Sequence, residues 1–362
     1  MKKIIISVTN DLVTDQRVSK TCDVLTEMGY DIFLVGRKLK NSLPLKRKYK
    51  TKRFRLLFNK GFCFYAEYNI RLFLLLLVSK KNILVANDLD TLLPNYIISV
   101  IQQKKIVFDS HELFSEIPEL VDRKRVKKIW KYLENKIIPK LEYVITVSNG
   151  IKNHYKKMYN ISATVIRNIP IKENTIREEF NFDTESKKII LYQGSINIGR
   201  GIELMIDTIP LLNDYILVII GDGDIFDKLK QKVITLSLEN KVKFLGKITP
   251  DNLKKLTPNA TVGVSLEEDL GLNYRFALPN KIFDYLHANV PIIVSNLPEM
   301  SELVSTYKIG ETLTNRTPEA LASLIKNIVN NNYQKSIQEA SKELNWTQEK
   351  KQLISIFTAL ES

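Results

Sequence analysis

The sequence predicts an α/β protein made of two doubly wound domains. Three observations carry that expectation. Short β-rich runs alternate with apolar residues at helical spacing along most of the chain; the alternation breaks once, in a polar stretch at residues 172–186, and then restarts. At 362 residues the chain is long for one core and natural for two.

Residues 3–9 (KIIISVT) read as a first strand. Val18, Cys22 and Leu25 then recur at helical spacing until Gly29, a natural helix terminator, and DIFLVG at 31–36 resumes a strand. That is a βαβ unit. Further strands are expected at 82–86, 105–109, 143–148 and 163–167, with helical patterns between them, so the sheet is open and parallel with helices on both faces. After the polar break, strands are expected at 188–193, 215–220, 242–245, 261–265 and 291–295. The domains are bounded accordingly at 1–171 and 187–345, with a closing helix at 346–362 expected to return to the first domain.

Hydrophobic residues at 44% and charged residues at 26% describe a soluble globular chain. The net charge of +14 is unevenly placed: residues 1–186 hold 34 Lys and Arg against 20 Asp and Glu, and residues 187–362 hold 20 against 20. Ten cations and no acid fall within 37–55, and 123–140 interleaves Lys and Arg with Val126, Ile129, Trp130, Leu133 and Ile137. Such stretches read either as solvated faces or as attachment to anionic lipid, where each cation near the surface adds ~1 kcal/mol. Nucleic acid is not expected, because no stacking-rich or helix-turn-helix motif accompanies the charge. Cys22 and Cys63 are too few for a disulfide framework or a metal cluster. Polar Thr9, Asn10 and Asp11 arrive too early for a signal peptide, and the apolar run at 72–78 is far below the ~20 residues of a membrane span. The expected setting is cytoplasmic, with the chain resting on the inner face of the plasma membrane as one option.

Ligands of doubly wound sheets bind beyond the carboxyl ends of the strands, so the loops there carry the functional reading. In LPNKIFDYL at 278–286, Pro279 and Asn280 signal a helix start, Lys281 falls in the first turn and Asp284 lies at i+3 on the same face. Helix N–H groups with a lysine suit a diphosphate, and a carboxylate one turn deeper suits ribose hydroxyls; a solvated surface pair is the bland alternative. Gly194, Gly199 and Gly201 surround Arg200 in a strand-to-helix turn that is neither GxGxxG nor GxxxxGK[ST]. His111, past a strand end beside Glu112, reads as structural or as a catalytic group, and Arg17 as a surface cation or as a holder of anionic substrate or acceptor. Asp88-Leu89-Asp90 has a DxD shape and Gly221 to Asp224 reads GDGD, but such short acidic patterns are frequent by chance. Metal ligation is not expected; Asp88 is read as lining a cleft between two facing loop rims, and Gly221–Asp224 as a tight turn under the nucleotide.

With these residues assembled, the chain resembles the GT-B glycosyltransferases, specifically the retaining sugar-nucleotide enzymes of family 4. NDLVTDQRV, DSHELFSE, ITVSNGI with VIRNIP, QGSINIGRGIE and ALPNKIFDYLHANVPIIVSN carry the likeness in order. It implies two Rossmann-like domains facing a cleft. It also implies that Arg200 and Lys281 hold the donor diphosphate, that Asp284 holds the ribose, and that His111 faces the donor sugar; Gly194 and Gly221 are read with them as donor-binding. The loop from Thr9 to Arg17 matches a glycine-bearing family loop that meets donor and acceptor, though it has no glycine here, and Asp15, Arg17, Asp88 and Glu112 are read as acceptor or cleft-lining residues. The implied partners are a nucleoside-diphosphate sugar (UDP first, GDP or dTDP next) and a saccharide or lipid-linked acceptor, with no cofactor. Phe276 stands where many members have a first glutamate, and Glu267, Glu268 or Asp269 are the carboxylates at hand. That departure leaves open a catalytically silent GT-B subunit that binds a sugar nucleotide or scaffolds a glycosylation complex.

Overall fold

The computed structural model describes residues 1–13, 15–117, 120, 123–172, 176–184 and 186–361. The chain forms two compact units. The first is Met1–Asn168 together with Glu349–Ser362, and the second is Ile169–Gln348.

In the first unit the elements run β1 (Lys3–Asp11), α1 (Gln16–Glu27), β2 (Asp31–Arg37), β3 (Lys50–Phe54), α2 (Gly61–Val78), β4 (Ile83–Asn87), α3 (Leu89–Ile101), β5 (Lys105–Ser110), α4 (Lys124–Ile137), β6 (Tyr143–Thr146), α5 (Asn149–Tyr159) and β7 (Thr164–Val165). The sheet order is β3-β2-β1-β4-β5-β6-β7, with all pairs parallel. Central parallel strands are covered on both faces, which is why Ile4, Ile5 and Ile6 follow one another without a polar interruption and are all fully buried.

Two features of this unit escaped the hydropathy pattern. KTKRF at Lys50–Phe54, inside the stretch of ten cations, is an edge strand whose lysines stay outside while Phe54 is buried. The apolar run at 72–78 is the second half of α2, an 18-residue helix that by length and composition alone is long and apolar enough to cross a bilayer. One ridge of that helix, Phe64, Tyr68, Leu72 and Leu76, is built into the core against Ile5, Val35 and Leu84.

The second unit runs β8 (Lys188–Gln193), α6 (Ile202–Thr208), β9 (Tyr215–Ile220), α7 (Phe226–Thr235), β10 (Val242–Gly246), α8 (Pro250–Leu256), β11 (Val262–Ser265), α9 (Leu272–Arg275), α10 (Asn280–His287), β12 (Ile292–Ser295), α11 (Pro298–Tyr307), β13 (Gly310–Leu313), α12 (Pro318–Asn330) and α13 (Gln334–Glu343). Its parallel sheet has the order β10-β9-β8-β11-β12-β13. Alternate residues of each strand feed opposite layers: Ile190, Tyr192, Leu217 and Ile219 join one core cluster, and Ile189, Leu191, Ile216 and Val218 the other.

The strand order reverses between β1 and β4 and again between β8 and β11. At such points adjacent loops leave the sheet in opposite directions and open a crevice. The loops singled out in the sequence after residues 9, 87, 193 and 265 lie there.

A last helix, α14 (Trp346–Ala359), carries the chain back to the first unit. Glu349 accepts the Arg167 backbone N–H at 2.7 Å and faces its guanidinium at 2.7 Å, while the Tyr30 hydroxyl donates to the Phe357 carbonyl at 3.2 Å. Phe357 is fully buried against the Tyr30 ring. Phe357→Ala is therefore expected to lower the unfolding free energy by ~3–5 kcal/mol in a urea titration; a loss under ~1 kcal/mol would show that α14 is not part of the first unit's cooperative core.

Candidate functional site

The richer of the two sites lies in the second unit, where β8, β11 and α10 end or begin together. After Gln193 the chain turns through Gly194, which has φ +134°, and Gly221, the residue after β9, has φ +146°. A Cβ at Gly221 would run into the Gly194 carbonyl oxygen, so only glycine lets the two turns touch. A Cβ at Gly194 would sit 3.4 Å from Lys281 Cε and 3.7 Å from its Nζ. The bare backbone of Gly194 thus faces the lysine head.

That ammonium lies 3.0 Å from Oε1 of Glu267, and Arg200 Nη1 lies 3.3 Å from the same oxygen. The Ser265 hydroxyl donates to Oε2 at 2.7 Å. Glu267 has no exposed surface. Burial alone would raise its pKa, yet Lys281 and Arg200 outweigh that and hold it below the ordinary glutamate value. The cations are also seated on rings: Lys281 Nζ is 4.2 Å from the Tyr192 centroid, and the Arg200 guanidinium carbon is 4.8 Å from that of Tyr274. Arg316 fixes the loop beneath them, donating to the carbonyls of Leu266 and Glu267 at 3.0 and 3.2 Å and to Ser295 Oγ at 2.7 Å.

Lys281 enters the first turn of α10, whose N-cap residue, Pro279, makes no side-chain cap. One turn on, Asp284 accepts a hydrogen bond of 3.0 Å from Gln193 Nε2, and Gln193 is steadied in turn by the Thr257 hydroxyl at 3.0 Å. The GDGD turn is tied to the same rim, since Ile196 N donates to the Asp222 carbonyl and Asp224 N to Asn197 Oδ1.

The site in the first unit gathers four charged side chains. Arg17, expected at the mouth of a cleft, is only 5% exposed and donates through Nε and Nη2 to the two carboxylate oxygens of Asp109 at 3.2 and 2.7 Å. Its Nη1 donates to the Ile166 carbonyl at 2.8 Å, so its guanidinium is committed within the fold. His111, 18% exposed at its side chain, has Nδ1 3.3 Å from Asp88 Oδ2 and Nε2 3.3 Å from Asp109 Oδ2. Its backbone N–H donates to Asp88 Oδ1 at 2.8 Å.

Asp88 holds that position with φ +58° and ψ 166°, a conformation that costs a non-glycine residue ~1–3 kcal/mol and recurs at functional sites. Asp90 turns elsewhere and contacts the Thr9 hydroxyl at 2.6 Å. The two acids of the DxD pattern thus have different partners. Burial, reinforced by Asp88, pushes Asp90 up to about 8. Burial would depress His111, but Asp88 and Asp109 prevail and raise it to about 9, while Arg17 and His111 overcome burial to hold Asp109 well below the usual range.

Of the residues read from the sequence, Gly194, Arg200, Gly221, Lys281 and Asp284 lie at one rim of the second unit. His111, Asp88 and Arg17 form the network of the first. Asp15 serves as the N-cap of α1, accepting from Val18 N at 3.0 Å, and Glu112 lies beside His111 with its carbonyl bonded to Ser110 Oγ. Among Glu267, Glu268 and Asp269, only Glu267 meets both Lys281 and Arg200; Glu268 lies 3.7 Å from Arg316 and Asp269 3.3 Å from Arg275. Asp109, Gln193 and Arg316 were not singled out. Asp109 stands inside a quoted motif, whereas Arg316 is 49 residues from its partner Glu267 and leaves no local trace.

Two doubly wound α/β units, each with polar groups gathered at its own switch point, define the GT-B class of fold. Family models match twice, Glycosyltransferase Family 4 over residues 16–170 and Glycosyl transferases group 1 over residues 173–344. The chain belongs to these GT-B glycosyltransferases.

Sucrose-phosphate synthase from Thermosynechococcus elongatus has the same fold with a TM-score of 0.83 at 15% identity over 99% of both chains. HepE of Anabaena, solved in complex with UDP-glucose, gives 0.73 at 14% identity over 99% of this chain and 100% of its own. In sequence, the chain is 28% identical over 205 residues, 56% of its length, to the O-antigen chain mannosyltransferase RfbU of Salmonella typhimurium. It is 27% identical over 215 residues, 52% of its length, to a glycosyltransferase of Methanocaldococcus jannaschii. These matches span about half of the curated relatives, 55% and 53% of their lengths.

Because His111 titrates at about 9 when folded against ~6.5 unfolded, its charge contributes stability fully present below pH ~6.5 and lost as pH rises through about 9. His111→Gln should therefore cost ~2–3 kcal/mol near pH 6 and little near pH 10, read as the difference in unfolding free energy from wild type. An equal loss at both pH values would mean that the Asp88–His111–Asp109 contacts do not stabilise an imidazolium.

Proposed function

We propose that this protein is an enzyme that moves a sugar from a nucleoside-diphosphate sugar to the hydroxyl of a saccharide or lipid-linked acceptor, with retention at the anomeric carbon, in cell-surface polysaccharide assembly. The observation that carries the reading is the convergence of Lys281 and Arg200 on one oxygen of Glu267, at the start of α10, where Pro279 makes no side-chain cap, and beside the bare backbone of Gly194. Two cations share one buried carboxylate there, so positive charge is left over and is fixed in place. The family membership and the UDP-glucose bound to HepE favour a UDP-sugar as donor, and the O-antigen relative favours a surface glycan as product.

In transfer, the bond from the anomeric carbon to the diphosphate oxygen breaks and negative charge grows on the leaving diphosphate. Lys281, Arg200 and the α10 N–H groups stabilise that charge where it develops, without having to reorganise. Glu267 positions the two cations between turnovers. Asp284, held by Gln193, takes the ribose hydroxyls. The acceptor oxygen forms the new bond on the face that the diphosphate leaves, and its proton passes to the departing phosphate. His111, charged at neutral pH between Asp88 and Asp109, is assigned to the sugar rather than to proton abstraction, since a base must be unprotonated to act. The setting proposed is cytoplasmic and membrane-peripheral, and transfer of a hexose without a metal ion is part of the same reading.

One observation favours a second reading, a silent sugar-nucleotide-binding subunit: Phe276, which caps the short helix α9, is not a carboxylate. The experiment that decides is transfer by the purified chain. A nucleotide panel of UDP, GDP, dTDP and ADP identifies the donor base first, because ligand at 100 times its Kd adds ~2.7 kcal/mol of stability. Sugar transfer should then be measurable and unaffected by chelator, and Lys281→Ala should lower kcat/KM by ~10²–10³ when assayed well below the variant's own melting temperature, which should itself fall because Glu267 is left buried with Arg200 alone. Wild-type turnover in Lys281→Ala would remove the diphosphate assignment, and nucleotide binding without any transfer would select the silent subunit.

A further inference from the structure

Helix α2 presents an apolar face to the outside of the first unit. Its buried ridge faces the core, whereas Phe62, Ile70, Leu74, Leu77 and Val78 all lie on the opposite, exposed arc, with Phe62 at 74% and Val78 at 82% exposure. A solvent-facing helical arc ordinarily carries charge. Between residues 61 and 78 the charged side chains are Glu67 and Arg71, and they pair with each other at 2.6 Å. Glu67 is further occupied by the backbone N–H groups of Leu57 and Phe58, which holds another exposed apolar pair against the helix. At the far end the Gln102 side chain donates to the Leu77 carbonyl, which brings the exposed Val100 and Ile101 of α3 up to Leu77 and Val78.

Cations flank this apolar surface along the chain. Residues 32–66 contain no Asp or Glu, Arg55 and Lys60 are exposed on the approach to α2, and Lys80 and Lys104 follow its end and that of α3. A second basic stretch contributes less freely, since Lys127 and Lys131 of α4 are taken by Glu116 and Glu134.

We propose that the exposed arc of α2 inserts into the headgroup region of an anionic lipid bilayer, with α2 lying in the plane of the membrane. A span across the bilayer is the reading this helix cannot take while the unit stays folded. Tyr68, Leu72 and Leu76 are fully buried in the core, the Tyr68 hydroxyl donates to the Val8 carbonyl at 2.6 Å, and the Asn69 side chain donates to the Asp90 carbonyl at 2.9 Å. Lateral insertion leaves every one of these contacts intact. It buries the apolar arc and sets the flanking cations at headgroup level, where anionic lipid attracts them. The inference deepens the membrane-peripheral part of the proposed function and stands independently of the donor site.

Cys63 offers a direct probe. It is exposed at the start of α2, and Cys22 is buried, so a thiol-reactive, polarity-sensitive fluorophore labels one position. With vesicles containing phosphatidylglycerol, the labelled chain should bind and its emission should shift to the blue. Pure phosphatidylcholine vesicles should bind at least ~10-fold more weakly, and raising salt from about 0.1 to about 0.5 M should weaken but not abolish anionic binding. A Phe62→Ser/Ile70→Ser/Leu74→Ser variant, unlabelled, should lose the salt-resistant part of co-sedimentation and keep the thermal shift given by UDP.

Binding with no change in emission overturns insertion, as does a triple variant that co-sediments like wild type. Failure of wild type to bind either vesicle overturns the surface altogether. A dimer in solution that the triple variant breaks, with vesicle binding unchanged, assigns the face to a second copy of the chain instead. Retained UDP binding in any of these outcomes separates failure of this inference from failure of the proposed function. If the triple variant does not fold, the emission of the labelled wild type decides alone.

Discussion

Glu267 has no contact with solvent, and an isolated carboxylate in such a place would surrender its charge. It keeps the charge because Lys281 and Arg200 reach the same oxygen and Ser265 satisfies the other. Removing any one partner from such a cluster strands the rest, so the arrangement holds only if every element delivering a partner is in register. Ser265 ends β11, Arg200 lies between β8 and α6, and Lys281 stands in the first turn of α10. A single buried charge thereby constrains two strands, a glycine turn and a helix N-terminus. Arg316, from the loop after β13, completes the constraint by holding the carbonyls of the loop that carries the glutamate.

The first unit solves a related problem in a different way. Asp109 is paired with Arg17 in a fork geometry and shares His111 with Asp88. Two anions and two cations alternate there, which is why the histidine stays charged although burial opposes it. The strained backbone of Asp88 is sustained by what its side chain gains from the histidine backbone and ring. Burial pushes Asp90 up to about 8 and raises Asp88 as well, and His111 at 3.3 Å pulls against that shift at Asp88. Both acids are pushed up by burial, and they part in their partners: the His111 ring and backbone for Asp88, the Thr9 hydroxyl for Asp90.

Legibility in the sequence followed the range of the interaction. Strands buried on both faces announce themselves as continuous apolar runs, so β1, β4, β8 and β9 were visible, while the edge strand β3, half charged and exposed, was not. Lys281 and Asp284 were legible as a pair because both lie on one turn of α10 and helix geometry fixes their separation. Arg17 was visible as a cation, but its burial was not, since that depends on Asp109, 92 residues away. The apolar content of α2 was visible too; which of its apolar residues face the core was decided by Tyr68 reaching the Val8 carbonyl of β1 and Asn69 reaching the Asp90 carbonyl of α3.

By itself, then, the sequence determined the alternation of strands and helices, the division into two doubly wound domains, the loops that gather at the strand ends and the family to which the chain belongs. Those are properties of local periodicity and short motifs, carried by neighbours in the chain. Only the tertiary structure decided which of three acids meets Lys281 and Arg200, that Arg17 is spent on Asp109, and which arc of α2 is left outside. Each depends on contacts between residues dozens of positions apart, where burial and Coulomb attraction compete at distances that no stretch of sequence records.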